Sequence, residues 1–349
     1  MTRREPGIVR RLPRRWRWVA AIAVVVLIGV AGWVASPWPP RSAPRPAGPV
    51  VLAAGEVGGV SHLYSEELGA AFGGAPGAFR TVTTDGSRDS LDLLAGGGAT
   101  FALATADVVA AYLAAHPTTS IRAVARLYDS YVHLVVAADG PVHRPADLRG
   151  ARVAVGTPGS GWQQVADQIL DVAGIDPGTD ITRFDLGPQA AATALAARQI
   201  DAFFLVDAMP SPELTGTTGG YSYMHGGAIR LVDLADVADQ LPASENCPGS
   251  SCAAYHTGTV PAQTYPSLAV AITTVAMPTL LLTAAAVSDE LVGRITALVF
   301  ASAPRIAADL PAVRQIDRHG AIFTGAVPLH EGAAAYYRAT KVFAFAPLP

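Results

Sequence analysis

The sequence predicts a two-lobed α/β protein, and three observations carry that prediction. From residue 49 onward, short apolar runs alternate with segments whose apolar residues recur at helical spacing. The alternation comes in two blocks, one before and one after Asp139, and resumes late in the chain. Two further apolar stretches, near residues 130–137 and 270–282, fall where the chain would pass from one lobe to the other. Strand-helix-strand order calls for sheets covered by helices. Each lobe is expected to be a mixed sheet flanked by helices, with a ligand cleft between the lobes.

The elements follow in order. "PVVLAAG" reads as a strand, and "SHLYSEELGAAF" as a helix with Leu63, Tyr64, Leu68, Ala71 and Phe72 on one face. "FRTVTTDGS" is a strand running into a turn, and "SLDLLAGGG" is a short helix stopped by glycine. "ATFALATADVVAAYLAAH" is strand then helix, and "IRAVARLYDSYVHLVVAAD" holds one or two strands. The second block repeats the plan. It has a strand at 152–156, a Gly-rich turn, a long helix, "DITRFDLG", another helix, and the apolar strand Ala202 to Val206. After "GGAIRLVDL", a long apolar strand leads to a helix with Ser288 as its N-cap. The division expected is residues 47–134 with 276–349 in lobe 1, and 135–275 in lobe 2.

Residues 1–46 differ from the rest. They hold nine arginines and one glutamate, and no charge interrupts Val19 to Ala35. A basic stretch before an apolar one is a membrane address. Its length is near the lower limit for a spanning helix. We expect a cytoplasmic basic tail, a signal-anchor or transmembrane segment at about 18–36, and the stiff Pro-rich linker "PWPPRSAPRPAGP". The body would then be extracytoplasmic, held at the cell membrane, or free if the segment is cleaved. No cysteine follows the apolar run, which excludes a bacterial lipoprotein. The whole chain carries 25 basic and 28 acidic residues; taking away the tail's 9 and 1 leaves 16 and 27, a net of −11. A body that acidic does not seek nucleic acid.

Two junctions suggest a binding site. In "VVLAAGEVGGVSHLY" an apolar strand ends in glycines just where a helix begins, at Gly59, Val60, Ser61 and His62. Free amides at a helix start attract carboxylates. The plainer alternative is a tight turn with Ser61 as N-cap. "VGTPGSGWQQ" repeats the device with Gly159, Ser160, Gly161, Trp162 and Gln163. It is neither a nucleotide loop nor a nucleophile elbow, because no Gly-Lys-Ser/Thr follows and position 158 is Pro. "TTDGSRD" offers Ser87, Arg88 and Asp89, with Arg88 able to pair bidentately with a carboxylate, or else a solvated turn. Thr105 and Asp107 sit at a further strand-to-helix junction. Tyr128 precedes a crossing segment, as a pocket wall or as core. Asp207 closes the strand of the second block.

Catalytic and metal motifs are missing. No histidine pair has metal-site spacing, and no cofactor is expected. Cys247 and Cys252, in "ENCPGSSCAAY", read as a small disulfide-closed loop in an exported protein.

Several stretches, in order, resemble one family. "VGGVSHLYSEELG", "TDGSRDSLDLLAGGGATFALATADV", "ARLYDSYVHLVVAADGPVHRPADLRGARVAVGTPGSG", "LAARQIDAFFLVDAMPSP", "VPAQTYP" and "AVPLHEGAAAYYR" are similar to blocks of the TAXI receptors of TRAP transporters, over roughly residues 50–338. This sequence has Ser61, Thr105 and Trp162 where that family usually has Tyr, Gln and Thr. The resemblance implies a periplasmic-binding-protein-like fold, type II-like, that closes on an amino acid or a dicarboxylate such as glutamate. It implies delivery to a TRAP membrane permease, and no enzyme activity. A sensory module on the same fold, or an enzyme on it, are the other classes this sequence leaves open.

Overall fold

The first apolar run becomes a strand buried on both faces, as a strand between two helix layers must be. A computed structural model describes residues 48–158, 160–215, 229–243, 253–266 and 268–341, all within the compact unit Arg45–Pro349. The basic tail, the apolar segment, Gly159, Cys247 and Cys252 lie outside the described residues, and with them the expected tether and disulfide. In chain order the elements are β1 (Val50–Ala53), α1 (Val60–Phe72), β2 (Phe79–Val82), α2 (Ser87–Ala95), β3 (Phe101–Thr105), α3 (Ala106–Ala115), β4 (Ile121–Ala137), β5 (Arg152–Ala154), α4 (Gly161–Val172), β6 (Thr182–Phe184), α5 (Pro188–Ala196), β7 (Ala202–Ala208), α6 (Pro212–Thr215), β8 (Ile229–Leu231), α7 (Ala235–Ala238), β9 (His256–Val260), β10 (Ile272–Ala284), α8 (Asp289–Asp309) and α9 (Glu331–Lys341).

The strands join in one mixed sheet, ordered β2-β1-β3-β10-β4-β7-β5-β6, with β8 on β4 and β9 on β10. β1, β2 and β3 are mutually parallel, as are β5, β6 and β7. β4 and β10 join the two parallel blocks, and they run antiparallel to each other and to their neighbours. The sequence suggested one or two strands at 121–139 and a separate sheet in each lobe. It is one strand, β4, of 17 residues, and the two sheets expected are one. Its residues up to Tyr131 pair with β10, and from Ser130 to Val136 they pair with β7, so the strand passes from one neighbour to the other. β10 likewise borders β3 through Thr279 to Thr283 and β9 through Ile272 to Ala276. Each crossing segment is long enough to serve both lobes, so one sheet continues through them.

The apolar cores separate along the same line. One cluster gathers Val51, Leu91, Ala102, Val109, Tyr112, Leu280 and Val327 around the first block. Two others gather residues between Val132 and Met277, on either face of the second block. α8 is long and apolar enough to span a bilayer by length and composition. Its Leu291, Val292, Ile295, Val299 and Ile306 are instead buried within the protein, with α1 and α9 packed against it. Ser288 caps it as expected, its Oγ accepting from the Leu291 amide at 3.3 Å.

Candidate functional site

Strand ends and helix starts from both lobes converge on one cavity, as Gly-rich strand-to-helix junctions predict for an open α/β sheet. Lobe 1 contributes the β1–α1 junction (Gly55, Glu56, Gly59, Ser61), the β2–α2 junction (Asp85, Gly86, Ser87) and Thr105 at the end of β3. Lobe 2 contributes Gly161 and Trp162 at the start of α4, Val206 and Asp207 at the end of β7, and Glu213 on α6. Ser130 and Thr279 come from the crossing strands. The space, open mouth included, is about 690 Å³.

The turn geometry explains the glycines. Gly58 has φ +94° and Gly86 φ +129°, conformations that a side chain resists. Gly161 is needed for a different reason. A Cβ there would stand 2.9 Å from Val108 Cγ2, across the lobe boundary. α4 therefore approaches lobe 1 as closely as its backbone permits.

The start of α1 does not wait for a solute anion. Helix α1 begins at Val60 with Gly59 as N-cap, and no side chain caps it locally. Ser61 is not the N-cap; it lies inside the first turn, where its Oγ meets the Tyr128 hydroxyl at 3.0 Å. The carboxylate at this helix start is the protein's own. Asp207 Oδ1 accepts from the Val60 amide at 3.2 Å and from the Ala208 amide at 2.8 Å. Asp207 Oδ2 accepts from Ser211 Oγ at 2.8 Å. Asp207 thus reaches from lobe 2 and satisfies an orphan donor of lobe 1.

Behind Asp207 a short chain of bonds fixes the next loop. Tyr265 Oη accepts from the Ser211 amide at 3.0 Å and lies 2.8 Å from His133 Nε2. Burial pushes the His133 imidazole down to about 4, so near neutral pH it is uncharged and can accept from Tyr265. This chain holds the segment that carries Glu213. Replacing Tyr265 by Phe leaves both the Ser211 amide and His133 without their buried partner. We expect a loss of about 2 kcal/mol in a urea titration; a loss below a few tenths would mean the chain carries no load.

Four carboxylates line the cavity, and among the described lining residues there is no lysine, arginine or histidine. Burial, with the Asp85 charge adding to it, pushes the Glu56 carboxyl up to about 7. Burial is also the first cause that raises Glu213, followed by repulsion from Asp207 and Glu56. Burial raises Asp207 too, against the hydrogen bonds it accepts.

Of the residues singled out from sequence, Gly59, Ser61, Ser87, Thr105, Gly161, Trp162 and Asp207 line this cavity. The others do not. Val60 gives its amide to Asp207. His62 is buried in lobe 1, with Nε2 3.3 Å from Thr83 Oγ1. Arg88 is exposed and is not among the residues that line the cavity. Asp89 accepts from the Asp85 amide and closes its own turn. Asp107 is fully buried and bonds across the lobe boundary, accepting from Tyr255 Oη at 3.0 Å and Gln164 Nε2 at 3.4 Å. Tyr128 stands behind Ser61. Ser160 caps α4 through the Gln163 amide, and the Gln163 side chain turns to Asp185. Glu56, Asp85 and Glu213 were missed. Glu56 sits inside the glycine turn itself, and a carboxylate there was a readable signal. Glu213 follows a Pro-Ser-Pro run, and nothing local marks it.

Residues 52–339 match the model of the NMT1-like family. Among solved structures, the chain is similar to the periplasmic aliphatic sulphonate binding protein SsuA from Escherichia coli, with 17% identity, 83% of this chain and 82% of that one covered, and a TM-score of 0.45. It is similar to the alkanesulfonate-binding protein SsuA from Xanthomonas axonopodis pv. citri bound to MOPS, with 17% identity, 85% of each chain and a TM-score of 0.45. A TctC solute binding protein from Polaromonas gives 16% identity, 86% and 100% coverage and a TM-score of 0.46. On the family match, which spans most of its length, this chain belongs to the NMT1-like family.

Proposed function

We propose that this protein is an extracytoplasmic solute receptor. It captures a small organic solute between its lobes and hands it to a membrane permease, without chemistry. The observation that carries this reading is the cavity where helix starts and strand ends of both lobes meet, beside hydrogen bonds that join the lobes: Asp207 to Val60, and Asp107 to Tyr255. The narrower assignment, to the TAXI receptors of TRAP transporters, rests on the order of the sequence motifs. The N-terminal apolar segment would hold the receptor at the membrane.

The test is thermal unfolding of the full-length chain in detergent, against a broad panel of metabolites. A solute at about 100 times its dissociation constant adds roughly 2.7 kcal/mol to stability. Silence across the panel would count against a receptor. A second test asks whether closure matters. Gly161→Ala places a methyl group against Val108. We expect binding about tenfold weaker, with stability reduced by no more than about 1 kcal/mol. Equal loss in both would mean the change merely damages the fold.

A further inference from the structure

We infer that the solute is an organic cation, an amine, amidine or guanidine without net negative charge, held between Glu56 of lobe 1 and Glu213 of lobe 2. This deepens the receptor reading and rests on it. The carboxylate ligand expected from the family resemblance meets the wrong surroundings here. The described lining contains Glu56, Asp85, Asp207 and Glu213 and no basic side chain. The helix-start amide that would receive an anion already donates to Asp207, which is 8% exposed and bound by three donors. A further carboxylate would be one more like charge in a site that water leaves on closure.

Glu213 itself calls for a donor. Its Oε2 is a buried atom with no hydrogen-bond partner among the described residues. A buried carboxylate oxygen without a donor is an unmet demand, and native structures rarely leave one standing. Glu56 reaches the other way. Its carboxylate oxygens lie 3.7 and 3.8 Å from the Cβ position of Gly187, the residue that opens α5 in lobe 2. Like charges from opposite lobes therefore face one cavity. In the empty cavity they either repel on closure or hold protons that the unfolded chain has released, and a cation between them favours the ionised, closed pair. Solute charge and lobe closure become one event. Trp162 adds an aromatic wall of the kind that organic cations favour.

The experiment uses full-length protein in detergent, by calorimetry and thermal unfolding. The probes are putrescine, agmatine, choline and arginine against glutamate, succinate and calcium ion alone. We expect at least one organic cation to bind, glutamate and succinate to leave the protein unshifted, and E213Q to weaken the cation by about tenfold or more. Glutamate or succinate binding without any organic cation would overturn the charge inference and leave the receptor standing. So would calcium alone. Silence from all probes would overturn it too, and the wider metabolite panel then decides whether the receptor reading survives. A second readout needs no ligand. At about pH 8, E213Q is expected to raise the melting temperature of the empty protein, because it removes a buried carboxyl that the folded state must either keep protonated or leave charged without a partner. A lowered melting temperature would mean Glu213 already has a partner, and the inference fails.

Discussion

Asp207→Ala is expected to cost about 3 kcal/mol of stability, whereas Asp207→Asn is expected to cost less than about 1. The alanine variant strips the partner from three buried donors at once: the Val60 amide, the Ala208 amide and Ser211 Oγ. Asparagine keeps an oxygen in the place of Oδ1 for the two amides, and Ser211 can reverse its bond. What asparagine gives up is charge at the start of α1, a term of about 0.3–2 kcal/mol. Against that stands the burial that raises the Asp207 carboxyl. Each pKa unit of such a rise is about 1.4 kcal/mol of cost to the ionised form. The two terms are of similar size and opposite sign, so the charge itself adds little and the hydrogen-bond geometry decides. Urea titrations of both variants separate the contributions. If asparagine proves as harmful as alanine, the helix start needs a full negative charge and the balance drawn here is wrong.

This pair also shows what the sequence could and could not reveal. The lobes, the junction turns and the crossing segments near 130–137 and 270–282 follow from periodicity, which is local; β4 and β10 lie where the apolar runs do. Gly58 and Gly86 were legible because a positive φ leaves a glycine behind. The sense of the charge was not legible. A glycine-rich helix start attracts an anion in any context, and only the fold shows that the anion is Asp207, 147 residues away. Arg88 read as a clamp because a turn tells nothing of which way its side chains leave. Asp107 read as a ligand contact because a carboxylate at a helix start fits that role; its partners Tyr255 and Gln164 come from the other lobe. Glu56 and Glu213 carry meaning only as a pair, and no local pattern joins residues so far apart.

With its cavity empty, the protein is expected to lose about 2 kcal/mol of stability between roughly pH 6.5 and pH 8.5. The sign follows from protons bound. Unfolded, Glu56 and Glu213 titrate near 4.5; folded, Glu56 is raised to about 7 and Glu213 is raised as well, by burial first and by Asp207 and Glu56 next. The folded state then holds protons that the unfolded state has released, and rising pH favours unfolding. His133 acts in the opposite sense, since burial lowers it from 6.5 to about 4 and an unfolded histidine takes up a proton more readily. Its contribution grows with pH but is complete once the unfolded imidazole is neutral, above about 6.5. The carboxyls lowered by arginine partners, such as Asp201 beside Arg152, exert their effect in acid, below the ordinary carboxylate range. Above about pH 6.5 the cavity acids act alone. A difference of one bound proton over two pH units amounts to about 2–3 kcal/mol. Melting temperature followed across this range should fall for the empty protein, fall less for E213Q, and fall least with a bound cation, which supplies the charge that the protons otherwise provide. A flat profile for the empty protein would mean that the cavity carboxylates are already ionised and compensated, and that their crowding costs nothing.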